Sequence, residues 1–120
     1  QEVILGMMRD PQFGPLMMFG MGGVFVETLK DVSFYLAPLT HDEAQQMLRS
    51  TRTYQLLTGA RGQEGVDLNA IAEALQRLSQ LVTEFPQIQE MDINPFVVGP
   101  PGTTPIAVDA RISVEQVREE

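Results

Sequence analysis

Between Asp67 and Pro86 the chain carries a single apolar stripe, formed by Leu68, Ile71, Leu75, Leu78, Val82 and Phe85 at spacings of three and four. That spacing gathers the six side chains on one face of an α-helix. Asp67 is a good N-cap, and Pro86 stops the helix because its ring blocks the next turn. A helix with one apolar stripe is stable in water only when another element covers the stripe. The partners for this one are strand-like runs on both sides of it.

Upstream, Val3–Met8, Leu16–Phe19, Val24–Thr28 and Val32–Leu36 are rich in β-formers. Asp10-Pro11-Gln12-Phe13-Gly14 and Lys30-Asp31 punctuate them as turns. Thr40 and Glu43 have capping-box spacing, and Ala44, Met47 and Leu48 continue a first helix. Gly59 and Gly62 break the pattern before the second helix. Downstream, Glu90–Pro95 and Ile106–Ala110 are again extended. Strands, two helices, strands is the order of an α+β fold: an antiparallel sheet with two main helices packed on one face. The other face, or an edge, is left for a ligand or another domain. Residues 1–112 form this unit and 113–120 a charged tail, helical or frayed. Met7, Met8, Met17 and Met18 lie in sheet-forming runs and are expected in the core.

The chain has 120 residues, enough for one domain with a modest core. With no cysteine, disulfides, thiolate zinc sites and cysteine catalysis are excluded. The single histidine, His41, sits in the helix-capping segment and reads as an exposed first-turn residue. A net charge of −8 disfavours binding to nucleic acid or anionic membrane. No apolar run reaches the ~20 residues of a membrane helix, and Gln1–Leu5 lacks a signal-peptide pattern. A reducing, cytoplasmic setting fits these features. Because the chain opens directly in a strand, it is expected to be a piece of a longer polypeptide.

Chemistry concentrates in Glu90-Met91-Asp92-Ile93-Asn94-Pro95. Strand side chains alternate between faces, so Asp92 and Asn94 point the same way and Met91 and Ile93 the other. If the next run folds back with its turn centred between Pro101 and Gly102, Asn94 and Asp109 become direct cross-strand neighbours. An amide and a carboxylate side by side make a half-shell for a hard cation such as Mg2+, with room for phosphates and water. Two readings compete with this. Asp92 and Asn94 are otherwise the polar face of an edge strand, with Pro95 marking the edge. A one-residue slip would also send Asp109 to the opposite face.

Phe19-Gly20-Met21-Gly22-Gly23 lacks the Lys-Ser/Thr ending of a phosphate loop and reads first as a tight connection between strands. Gly22 and Gly23 remain candidates for close backbone approach to a ligand. Arg61, in Gly59-Ala60-Arg61-Gly62, is either a phosphate contact or a surface-loop arginine.

Taken in order, these motifs resemble a known family. They are Glu2–Gly6, Arg9–Pro15, Phe19–Gly23 with Glu27, Pro38-Leu39, Leu57–Gly62, Glu90–Pro95 and Asp109-Ala110-Arg111. The set looks like the C-terminal part of the ATP-grasp domain of ADP-forming (NDP-forming) acyl-CoA synthetases. That family is related to the β subunit of succinyl-CoA synthetase and includes forms fused to a protein acetyltransferase domain. The resemblance spans roughly Glu2 to Ile112. It implies a ligase interconverting acid, CoA and ATP with acyl-CoA, ADP and phosphate, through an acyl phosphate and a mobile phosphohistidine. By that resemblance Asn94 and Asp109 match the Mg2+ ligands, and Asp92 matches the acid that steadies the incoming phosphohistidine. The implied cofactors are Mg2+ and ATP/ADP. The implied partner is a CoA-binding domain or subunit carrying the histidine.

The family's N-terminal lysine and adenine contacts are absent here, as is the mobile histidine, which His41 does not match. The chain by itself is therefore expected to be inactive. Two other readings come from different classes: a ligand-sensing regulatory module fused to an acetyltransferase, and an interaction domain with an unused polar sheet face.

Overall fold

The computed structural model describes residues 1–22, 31–52, 54–59 and 64–115. In chain order it has β1 (Glu2–Asp10), β2 (Gly14–Met21), β3 (Val32–Leu36), α1 (His41–Arg49), α2 (Tyr54–Thr58), α3 (Leu68–Glu84), β4 (Ile88–Val97), β5 (Ile106–Ala107) and β6 (Ala110–Val114). The strand expected over Val24–Thr28 lies outside the described residues, as do Gly23, Glu27 and Arg61.

The strands form one antiparallel sheet in the order β3-β2-β1-β4-β5, with β6 also paired to β4. β5 takes the Phe96–Val97 end of β4 and β6 the Ile88–Ile93 end, so the two make one edge broken at Val108-Asp109. The β1–β2 turn is closed by Asp10, whose Oδ1 accepts the N–H groups of Gln12 and Phe13 at 2.8 and 2.9 Å. This is the Asx turn that the Asp-Pro sequence anticipates.

Both long helices begin where their capping residues indicate. At α1, Thr40 Oγ1 accepts from Glu43 N at 3.1 Å, and Glu43 Oε1 accepts from Thr40 N at 3.0 Å, a complete capping box. At α3, Asp67 Oδ1 accepts from Ala70 N at 3.1 Å. The helices cover one face of the sheet. Val3, Leu5, Met17, Phe19, Met47, Leu48, Ile71, Leu75 and Val82 are all fully buried between the two layers. Each large side chain so buried contributes roughly 1.5–3 kcal/mol of transfer free energy.

Arg9 joins the layers at their end. Its Nε donates to the Ile88 carbonyl and its guanidinium to the Val82 carbonyl, both at 2.9 Å. A cation thus meets the free carbonyls in the last turn of α3 and holds them to the first residue of β4.

The structure corrects three sequence expectations and adds one short element. Phe85 is not part of the buried stripe: α3 ends at Glu84, and Phe85 is its exposed C-cap. A third, short helix, α2, follows α1. Met7 and Met17 are core, but Met8 is 56 % exposed and Met18 half-buried, because consecutive strand residues cannot share a face. Finally, Ser113 and Val114 belong to β6, and Glu115 N donates to Gln87 O at 2.8 Å, so order continues past residue 112.

Candidate functional site

β4 carries the polar motif and lies inside the sheet, between β1 and the β5/β6 edge. Asp92-Ile93-Asn94-Pro95 is therefore not an edge strand. Pro95 is accommodated by a bulge: Leu5 pairs with Ile93 and Val3 with Phe96, so β4 uses three steps where β1 uses two. The ladder to β1 is interrupted there, and proline's missing N–H costs no strand hydrogen bond. The bulge also lets Phe96 return to the core, where it is buried beside Val3, while Asn94 stays exposed.

Across from β4, the register is the one the Pro101–Gly102 turn requires. Phe96 pairs with Ala107, Val97 with Ile106, and Ile93 with Ala110. Asn94 N donates to Asp109 O at 3.0 Å, and Val108 N to Pro95 O at 3.0 Å. Asn94 and Asp109 are thus neighbours at the break between β5 and β6. Gly102 takes φ = 94° in the turn, a conformation that glycine adopts without a Cβ clash.

Asp92 sits two residues before Asn94, between Gly6 of β1 and Arg111 of β6. Gly6, Asp92 and Arg111 form a row across three adjacent strands on the face opposite the helices. The row borders an open cavity of about 490 Å³, whose other walls include Met8, Met18 and Phe34. Gly6 is needed there: a Cβ would stand 3.1 Å from the Met18 methyl and 3.2 Å from the Met91 carbonyl. The cavity wall is therefore mostly apolar, with its charge confined to Glu90, Asp92 and Arg111.

Asp109 carries one ion pair among the described residues, a 3.9 Å contact from Arg111 Nε to Asp109 Oδ2, with both side chains mostly exposed. Such a pair is worth little in water and leaves the carboxylate open to a cation. Among the described residues no three His, Cys, Asp or Glu side chains converge on a metal-sized site. The donor set from this chain is one amide and one carboxylate. That set fits Mg2+, which commonly takes one or two protein oxygens and fills its octahedron with phosphate and water.

Other sequence candidates fall elsewhere. Gly22 does not line the cavity, and its N–H is donated to Glu2 O at 2.9 Å. A Cβ at Gly22 would lie 3.0 Å from the Glu2 backbone, so what this glycine provides is strand closure. His41 is exposed, with Nδ1 3.3 Å from Gln76 Oε1 on α3. Gly6, Met8, Met18, Phe34 and Arg111 were not among the site residues expected from the sequence. The signal for Arg111 was its place two residues after Asp109, and for Gly6 the glycine inside an apolar strand.

The fold and this polar row define a class of protein. Residues 1–114 match the family model for the ATP-grasp domain, and the chain belongs to that family. Among its relatives is the β subunit of ADP-forming acetate–CoA ligase I from Pyrococcus furiosus, 50 % identical over 112 residues, which are 93 % of this chain and 47 % of that protein. The ADP-forming 4-hydroxybutyrate–CoA ligase of Nitrosopumilus maritimus is 46 % identical over 114 residues, 95 % of this chain and 16 % of the ligase. Among solved structures, the dinucleotide-forming acetyl-coenzyme A synthetase 1 of Ca. Korarchaeum cryptofilum superposes with a TM-score of 0.89 at 50 % identity. It covers 95 % of this chain and 53 % of its own. That structure holds coenzyme A and Mg-AMPPCP, with its phosphohistidine segment pointing towards the nucleotide site. The chain spans about half the length of the Pyrococcus subunit it matches. None of its described helices is long and apolar enough to cross a membrane.

Proposed function

We propose that this chain is the Mg2+- and phosphate-binding part of an ADP-forming acid–CoA ligase, active when the full-length protein supplies the rest of the site. The observation that carries the reading is the juxtaposition of Asn94 on β4 with Asp109 at the break between β5 and β6, with Asp92 one alternation away beside the cavity. The Mg-AMPPCP and phosphohistidine segment of the Korarchaeum relative support it.

In this reading Asn94 Oδ1 and an Asp109 carboxylate oxygen hold the metal. Mg2+, when bound, offsets phosphate charge during transfer. Asp92 accepts the N–H of the imidazole nitrogen that does not carry phosphorus, which orients the ring. Keeping that proton on the ring lets it leave as neutral imidazole. The P–N bond breaks with its electron pair going to the ring nitrogen, and a P–O bond forms to the terminal oxygen of the nucleoside diphosphate. The histidine comes from a CoA-binding domain or partner subunit. Met8, Met18 and Phe34 give the cavity an apolar wall. A cytoplasmic setting, where ATP and CoA are both available, completes the proposal.

The test is substitution in the full-length protein. Asn94→Ala and Asp109→Ala should each reduce nucleotide-dependent acyl-CoA formation by about 100-fold or more. Wild-type turnover in both variants rejects the reading.

A further inference from the structure

We propose that Arg111 binds the oxygens of the transferred phosphoryl group, so that its guanidinium, and not the metal alone, takes up the charge beside Asp92. The assignment rests on the proposed ligase site and adds a residue to it.

Three observations converge. First, Arg111 pairs with Asp92 across β4 and β6, and Asp92 pairs with Gly6 across β4 and β1. Adjacent strands lie about 4.8 Å apart, so a long arginine side chain on β6 reaches the space over Asp92 and Gly6. Gly6 has no side chain to compete for that space. Second, Arg111 is the single basic residue among the described walls of the cavity, which include the acids Glu90 and Asp92. With Asp109 next to them and a chain charge of −8, these acids repel a doubly charged phosphoryl group, a repulsion that a cationic side chain would offset together with the metal. Third, Arg111 is only weakly engaged. Its ion pair with Asp109 is long, uses Nε, and leaves 84 % of the side chain exposed. Arg9 is the contrast: its donors are spent on the Val82 and Ile88 carbonyls. A planar fork with two free Nη groups matches two phosphoryl oxygens, which a point charge cannot do.

A merely structural Arg111 would orient Asp109 and act through metal affinity. The experiment therefore reads transfer and metal binding separately in the full-length protein. Radiolabel from γ-labelled ATP is followed onto the histidine by rapid quench, and the Mg2+ concentration giving half-maximal labelling is measured alongside. Arg111→Ala should slow labelling by about 100-fold at saturating Mg2+, with the half-maximal Mg2+ concentration shifted by no more than about twofold. Arg111→Lys should recover part of the rate but stay about tenfold slow for want of the second parallel hydrogen bond. Guanidinium ion added to Arg111→Ala should restore part of the rate. Labelling at the wild-type rate in Arg111→Ala overturns the assignment, and so does a loss that saturating Mg2+ fully repairs. Asn94→Ala, run in parallel, separates the two failures. If it is inactive while Arg111→Ala is active, the arginine assignment alone falls; if both are active, the site reading falls with it.

Discussion

The two faces of this sheet are built by the same strands and do opposite work. In β1, Val3, Leu5 and Met7 are buried against the helices, while Gly6 and Met8 alternate with them on the open face beside the cavity. In β4, Met91 and Phe96 are core, and Asp92 borders the cavity with Asn94 exposed beyond it. Neighbouring residues thus answer to different constraints. The covered face is close-packed and responds to volume. The open face answers to charge and to the room left for a ligand. Substitutions one residue apart should therefore separate stability from activity.

The largest expected effect on the covered face is from Phe19→Ala, at a site with no exposed surface. It should cost about 3–5 kcal/mol, read as a lowered urea midpoint. A change under about 1 kcal/mol would mean that the two layers are not close-packed. Gly6→Val should break the division between faces. Its Cβ would press on Met18 and on the Met91 carbonyl, costing about 1–3 kcal/mol, and its methyls would fill the space over Asp92. Stability and turnover should both fall, and lost turnover at an unchanged urea midpoint would show that the strands yield to the new side chain. The smallest effect is expected from Met8→Ala, which removes a side chain already 56 % exposed. Unfolding free energy should change by about 0.5 kcal/mol or less, leaving the urea midpoint nearly unmoved. A larger loss would place Met8 in the core after all.

How much of this was legible in the sequence depended on range. The Thr40–Glu43 capping box, the Asp67 cap and the apolar period of α3 are local, and the residues that encode them also make the hydrogen bonds. Phe85 was misplaced because periodicity continues through a helix end without marking it. The Met pairs were misread because composition is blind to alternation. Gly22 invited a ligand role from its neighbours, yet its amide is taken by Glu2, a residue twenty positions away. Asp92, Asn94 and Asp109 could be grouped from sequence because one hairpin register relates them, and Pro101-Gly102 set that register.

By itself, then, the sequence marked the two main helices, the flanking strands and the turn, and offered the Asn94–Asp109 pairing as one of its registers, since each depends on contacts within one helix or one hairpin. The tertiary structure alone decided that β4 is interior, that a bulge absorbs Pro95, and that Gly6 lies beside Asp92. Those facts join β1 to β4 across some ninety residues of chain. Such long-range pairings are selected by burying Val3, Leu5 and Met7 beneath the helices, a free energy that no local pattern records.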